Sequence, residues 1–245
     1  MKQAVIEGRN AVIEALKADV PLTSLLISSA SNPDRSLALI KKLAEERGVA
    51  WHEVARHDID TLSERGAHQG VIARSAPFAF TELDEVLADV EGRDQALLVV
   101  LDHISDPGNL GAIVRSAEVV GASGVIIPEN RSVGVTPATW KSASGALAHL
   151  PLVQVTNIAQ TIARLKDAGF WIAGASEHAE QTAWDAPLQG RLALVMGSEG
   201  AGLARLTQER CDFLVRLPQA GKTGSLNVAQ ACTVLAYEWL RQCTR

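Results

Sequence analysis

ALLVVLDHISDPGNLGAIVRSAE, residues 96–118, runs from six apolar residues and an aspartate, through a Pro107-Gly108 turn, into a helical pattern. An uninterrupted apolar run suits a strand buried on both faces, where a half-exposed strand would alternate. The same succession recurs toward the C-terminus. Strand-like runs at Ala96–Leu101, Gly124–Ile127, Leu152–Val155, Phe170–Ala173, Leu192–Val195 and Phe213–Leu217 are separated mostly by helical stretches at Asn109–Val120, Pro137–Ala148, Ile158–Ala168 and Leu203–Gln208. A last helix is expected over Ser225–Trp239, with Val228, Cys232, Leu235 and Trp239 as its core stripe. This pattern predicts an α/β domain over residues 95–245, built on a parallel sheet covered on both faces.

Upstream, a smaller α/β unit is expected over residues 1–75. Arg9–Ala18 carries Val12, Ile13 and Leu16 at helical spacing, and Leu22–Ile27 suits a strand. Asn32 or Asp34 can cap a helix that runs to about Arg47 and ends at Gly48. Ala50–Val54 and Gly70–Ala73 complete the strands. Residues 76–94 read as an acidic linker with room for a short helix after Thr81. The net charge of −5 lies in that stretch. Residues 1–75 hold ten basic and ten acidic residues, residues 93–245 hold thirteen of each, and residues 76–92 hold five acids without a base. Both flanking blocks are neutral, so a nucleic-acid partner is not excluded.

No apolar run approaches the ~20 residues that span a bilayer, so no membrane association is expected. The N-terminal residues lack the apolar centre of a signal peptide. Cys211, Cys232 and Cys243 form no CxxC pair, and the combination points to a reducing, cytoplasmic setting. The six histidines show no ligand spacing, so no metal is expected.

Three segments place polar and glycine residues after apolar runs: DPGNLGAIVRSAE (106–118), LVMGSEGAGL (194–203) and GSLNVAQA (224–231). Loops at the carboxyl ends of parallel strands are where such folds bind ligands. Taken singly, each residue has a structural alternative. Asn109 can cap a helix, Glu199 can sit in a first helical turn, and Ser225 can be an N-cap. Arg115 lies ~140° around its helix from Leu110 and points away from that helix's own core. The spacing of Ser198 fits no nucleophile elbow, because Met196 stands where glycine is needed. A dinucleotide fingerprint would come at the first strand, not near the end.

In this order the three segments resemble the signature motifs of the SpoU/TrmH family of RNA ribose 2′-O-methyltransferases, within the SPOUT superfamily. The resemblance covers roughly residues 95–243. EGRNAVIEAL (7–16) and HQGVIARS (68–75) resemble the ribosomal-protein-like RNA-binding domain of one subgroup, which methylates a guanosine ribose in large-subunit (23S) ribosomal RNA. The resemblance implies a deep C-terminal trefoil knot, S-adenosylmethionine as methyl donor, a ribosomal RNA partner, and a homodimer with its active site at the interface. It also implies catalytic roles for Asn109, Arg115, Glu199, Ser225 and Asn227. Cofactor contacts would come from Met196, Gly197, Gly200, Leu217, Ser225 and Leu226. The family assigns the base role to the arginine matching Arg115. A guanidinium holds its proton tightly, so phosphate binding and alkoxide stabilisation are an alternative for it. Ala229 departs from the subgroup, which commonly has a second serine there.

Other readings keep the chemistry and change the substrate, to transfer RNA or to a ribosomal site that confers antibiotic resistance. A further one is a non-catalytic RNA-binding protein. With one tyrosine and four phenylalanines in the chain, extensive base stacking is not expected, and salt-sensitive Lys, Arg and polar contacts should dominate. Arg9, Asn10, His68 and Gln69 are candidates for such contacts.

Overall fold

The structure is a computed structural model that describes residues 4–63, 66 and 68–244. It divides into two units, Met1–Ala79 with Val135–Gly145, and Phe80–Gly134 with Ala146–Arg245.

The first unit contains β1 (Ala4–Glu7), α1 (Arg9–Lys17), β2 (Leu22–Ser28), α2 (Arg35–Glu46), β3 (Trp51–Val54), α3 (Arg56–Leu62) and β4 (Val71–Ser75). Its sheet has the order β1-β4-β2-β3. Only β2 and β3 run parallel; β4 lies antiparallel to both β1 and β2. Val12, Ile13 and Leu16 of α1 are buried, as their spacing predicts. Of the two possible caps of α2, Asp34 takes the role, its carboxylate accepting the Leu37 N–H at 2.8 Å. Two elements have no counterpart in the sequence reading. β1 is only four residues long. α3, RHDIDTL, buries Ile59 alone, which packs on Leu26 and Ile72, and one apolar contact gives no periodicity to detect.

The second unit begins with α4 (Leu83–Asp89), followed by β5 (Ala96–Asp102), α5 (Pro107–Val119) and β6 (Gly124–Pro128). The chain then makes α6 (Pro137–Ala143), which groups with the first unit, before returning for β7 (Leu152–Val155), α7 (Ile158–Asp167) and β8 (Trp171–Ala175). It ends with β9 (Arg191–Gly197), α8 (Arg205–Arg210), β10 (Phe213–Val215) and α9 (Val228–Cys243). The helix expected over Pro137–Ala148 is broken. Ser144 adopts a left-handed conformation (φ 48°), and Ala146–Ala148 forms a separate 3-10 turn.

The six strands are all parallel, in the order β10-β8-β9-β5-β6-β7. β5 is buried throughout, as its apolar run requires. The chain builds β5, β6 and β7 outward on one side, then crosses to β8 and inserts β9 between β8 and β5. The carboxyl ends of β5 and β9 meet in register, Asp102 opposite Gly197. A crevice at the carboxyl ends, where strand order reverses, is the expected ligand position in such sheets.

Part of the acidic stretch 76–94, the helix α4, takes part in this core. Leu83, Val86 and Val90 of α4 and its cap are buried together with Ile158, Ile162 and Leu165 of α7. The acids lie on the other side of an amphipathic helix. Arg191 serves helix ends left without intrahelical partners: its guanidinium donates to the carbonyls of Val90 (2.7 Å) and Ala168 (2.8 Å), the caps of α4 and α7.

Among the described residues no helix is long and apolar enough to cross a membrane, and no three metal-ligating side chains gather. The three cysteines are unpaired. Burial pushes the thiols of Cys211 and Cys232 up to about 12, which leaves them poor nucleophiles.

Candidate active site

α5 starts two residues earlier than its sequence pattern suggests. Pro107 opens it and Asp106 is the N-cap, accepting the Asn109 backbone N–H at 2.7 Å. Asn109 is therefore not the cap, and its side chain is available for another partner. That partner is Glu199, ninety positions away: Asn109 Nδ2 donates to Glu199 Oε1 at 2.8 Å.

The last helix differs in the opposite sense, starting later than its pattern suggests. α9 begins at Val228, not Ser225, and its N-cap is Asn227. Asn227 Oδ1 accepts from the N–H groups of Ala229 (2.9 Å) and Gln230 (3.4 Å). An amide whose oxygen faces two backbone N–H groups must present its NH₂ on the opposite side. Both of those protons are used: Asn227 Nδ2 donates to Asn109 Oδ1 (2.9 Å) and to Glu199 Oε1 (2.9 Å). One residue from each of the three segments thus closes a hydrogen-bonded triangle. The orientation of Asn227 fixes that of Asn109, whose oxygen must face the Asn227 amide.

The triangle leaves two groups over. Both amides converge on Oε1, so Oε2 of Glu199 accepts no hydrogen bond from the described residues. Asn109 Nδ2 retains a second N–H. Asn109 is buried while Glu199 is exposed, so the network reaches from the interior to an accessible carboxylate.

The loop bearing Glu199 is a tight hairpin. Ser198 and Gly202 exchange backbone hydrogen bonds of 3.0 and 2.9 Å. A side chain at Gly197 would place its Cβ 2.2 Å from the Gly202 carbonyl carbon and 2.4 Å from Leu203 N. Gly200 has a φ of 84° and nothing within 4 Å of a Cβ position. The first glycine permits backbone crossing, and the second permits the turn. Asp102, buried at the end of β5, holds the loop's exit by accepting the Ala204 N–H at 2.8 Å.

Beside this hairpin lies a cavity of about 410 Å³. Met196, Gly197, Gly200, Leu217, Ser225 and Leu226 all line it, together with Glu199 and Asn227. Asn109 and Arg115 are not among its lining residues. Arg115 is exposed on α5. The volume falls within the range of small-ligand sites, and the walls combine apolar side chains with open glycine backbone. That combination fits a nucleoside bearing an amino-acid tail. The sequence reading missed the floor contributed by β8, where Ala175, Ser176, Glu177 and His178 also line the cavity. Their position after a parallel strand was the available signal.

Ala229, where the subgroup commonly has serine, is buried, with its N–H bonded to Asn227. In the first unit, His68 is buried and bonded on both sides. Nδ1 accepts the Gly70 N–H (3.0 Å), and Nε2 faces Asp60 at 2.9 Å. Gln69 and Arg9 bond each other, while Asn10 is exposed.

The family model for the SpoU rRNA methylase family matches residues 96–237, more than half of the chain. The chain belongs to the SpoU methylase family. Residues 5–81 match the RNA 2′-O ribose methyltransferase substrate-binding domain. The chain is thus an S-adenosylmethionine-dependent RNA 2′-O-ribose methyltransferase of the SpoU/TrmH family, with an N-terminal substrate-binding domain.

This SpoU methylase is 40% identical over 236 residues to YacO of Bacillus subtilis (strain 168), assigned to the TrmH family of tRNA/rRNA methyltransferases; the match covers 96% of this chain and 94% of that protein. An uncharacterized tRNA/rRNA methyltransferase of Mycolicibacterium vanbaalenii is 40% identical over 97% of this chain and 76% of its own. Among solved structures, the SpoU methyltransferase AviRb from Streptomyces viridochromogenes, in complex with AdoMet, superposes with a TM-score of 0.67 at 28% identity. That match covers 98% of this chain and 90% of AviRb. An AdoMet-bound rRNA methyltransferase from Sinorhizobium meliloti gives 0.63 at 26%, over 98% and 87% of the two chains.

Proposed function

We propose that this SpoU methylase methylates the ribose 2′-hydroxyl of a guanosine in large-subunit (23S) ribosomal RNA, with S-adenosylmethionine in the cavity beside the 198–202 hairpin. The observation that carries the reading is the Asn109–Glu199–Asn227 triangle at the edge of that cavity. The cofactor supplies, when bound, a methyl group made electrophilic by a positively charged sulfur. Met196, Leu217 and Leu226 would enclose its apolar parts, while the backbone around Gly197 and Gly200 and the Ser225 hydroxyl would take its polar ones.

A 2′-hydroxyl offers one donor and an acceptor oxygen. The two groups left over by the triangle match it: Glu199 Oε2 can accept the hydroxyl proton, and the second N–H of Asn109 can donate to the oxygen. Holding the hydroxyl in line with the methyl group is worth about 7–11 kcal/mol in favourable cases. In this reading Ser225 and Asn227 position the reacting groups, and Arg115 faces the RNA as a phosphate-binding cation that stabilises charge building on the oxygen.

A homodimer belongs to the same reading. α5 and α9 are joined by a Ser116–Thr233 hydroxyl bond of 2.7 Å, and beside it Val119, Val234 and Tyr237 are exposed. A second copy packed on this apolar patch would bury it next to Arg115.

The deciding experiment is methyl transfer from labelled S-adenosylmethionine to ribosomal RNA from a strain lacking this protein, followed by mapping of the modified nucleotide. A single 2′-O-methylguanosine in the large-subunit RNA is expected. Label entering transfer RNA alone would overturn the ribosomal assignment.

A further inference from the structure

Two non-glycine residues at the carboxyl edge of the second unit's sheet hold a left-handed backbone: His103 after β5 (φ 67°) and Arg131 after β6 (φ 57°). A residue with a Cβ pays strain there that glycine would avoid, and such positions cluster at functional sites. His103 has a partner, its Nδ1 lying 2.5 Å from Asp102. The Arg131 guanidinium is exposed and has no hydrogen-bond or ion-pair partner among the described residues. Arg210 and Arg216 likewise have no side-chain partner among the described residues, whereas five other arginines of the unit are committed. Arg93, Arg164, Arg205 and Arg241 pair with carboxylates, and Arg191 binds carbonyls.

The loop that presents Arg131 is fixed at both ends. On one side the Glu129 N–H donates to Val155 O at 2.8 Å. On the other, the Val133 N–H (2.9 Å) and the Ser132 hydroxyl (3.1 Å) both donate to Ile104 O. Ile104 stands two residues before the Asp106 cap and five before Asn109. The loop is therefore tied to the segment that positions Asn109, on the same edge of the sheet. Within the loop the nearest acid, Glu129, sits at the anchor toward β7, and Asn130 and Arg131 are exposed between the anchors.

We infer that Arg131 binds a backbone phosphate of the RNA strand flanking the methylated ribose. The inference rests on the proposed methyl-transfer reading. A polyanionic strand is the occupant that an unpaired guanidinium beside a ribose site fits, and a phosphate contact fixes the strand's register without reading its sequence. Arg131 acts as a positioning residue and touches no reacting atom.

Arg131→Gly in the full chain separates contact from strain, because glycine accepts the same backbone and removes only the cation. The readouts are RNA binding and methyl transfer with large-subunit ribosomal RNA, S-adenosylmethionine affinity, and thermal melting. Expected are an unchanged or higher melting temperature, unchanged S-adenosylmethionine affinity, an RNA KM raised about tenfold at ~0.15 M salt, and a salt slope for RNA binding reduced by about one. Arg131→Lys should recover most of the loss. A glycine variant with wild-type RNA affinity and salt slope overturns the inference, as does one that melts lower and binds S-adenosylmethionine less well. If the wild-type protein binds this RNA but methylates none, the methyl-transfer reading fails, and the salt slope still decides whether Arg131 meets a phosphate.

Discussion

Two polar clusters in this protein are assembled alike and finish differently. In the first unit, Arg9 gathers three separate segments. Its backbone N–H and Nε donate to Gln69 Oε1 and O (3.2 Å each), and its guanidinium reaches Asp34 and the Asn32 carbonyl. In the second unit, Asn109, Glu199 and Asn227 likewise join three segments. The Arg9 cluster turns its donors onto its own chain: it caps, ties and orients loops. The Asn109 cluster closes on one oxygen of Glu199 and leaves the other oxygen and one amide proton available beside a cavity. Hydrogen-bonded convergence alone therefore does not mark a site. Donors and acceptors left over in a rigid frame do.

Three substitutions bear on that contrast, in order of expected effect. Gly197→Ala drives a Cβ into the Gly202 and Leu203 backbone, with no flexible side chain to yield. It should cost about 3 kcal/mol or more in stability, seen as a lower melting temperature, and abolish both methyl donor binding and methyl transfer. Normal binding by calorimetry would show that the hairpin does not shape the cofactor site. Glu199→Gln keeps an oxygen for the two amides but removes the anionic acceptor. It should lower kcat about 10²–10³-fold while S-adenosylmethionine affinity stays within about twofold. A loss confined to KM for RNA would move Glu199 from the reacting hydroxyl to a docking role. Arg9→Ala should be mildest: about 1 kcal/mol of stability and no change in S-adenosylmethionine affinity. RNA affinity falling without any change in melting would make Arg9 a substrate contact, and the contrast between the clusters would dissolve.

Much of the architecture was legible because its signals are local. Six apolar runs marked the six parallel strands, and Val12, Ile13 and Leu16 gave the buried face of α1. α3 was invisible because one buried isoleucine makes no pattern. The acidic count of residues 76–92 suggested a linker, yet Leu83, Val86 and Val90 carry α4 into the core; composition averages over the two faces of a helix. The caps were ambiguous for a different reason. Asp106 and Asn109 are both good N-cap types, as are Ser225 and Asn227, and the sequence does not say which side chain has a better partner elsewhere. Asn109 has Glu199; Asn227 serves as cap and tertiary donor at once.

The sequence by itself determined the alternation of strand and helix, the three polar segments at strand ends, and the residue types that later form the site. Those properties depend on periodicity and on neighbours a few positions apart. Only the tertiary structure decided that Asn109, Glu199 and Asn227 meet, that a single Glu199 oxygen receives both amides, and that the Ile104 carbonyl secures the Arg131 loop. The reason is strand order. Inserting β9 between β8 and β5 brings Gly197 beside Asp102, and with them loops that lie some ninety residues apart along the chain. No local preference encodes that pairing, which is settled only when the whole sheet buries its strands.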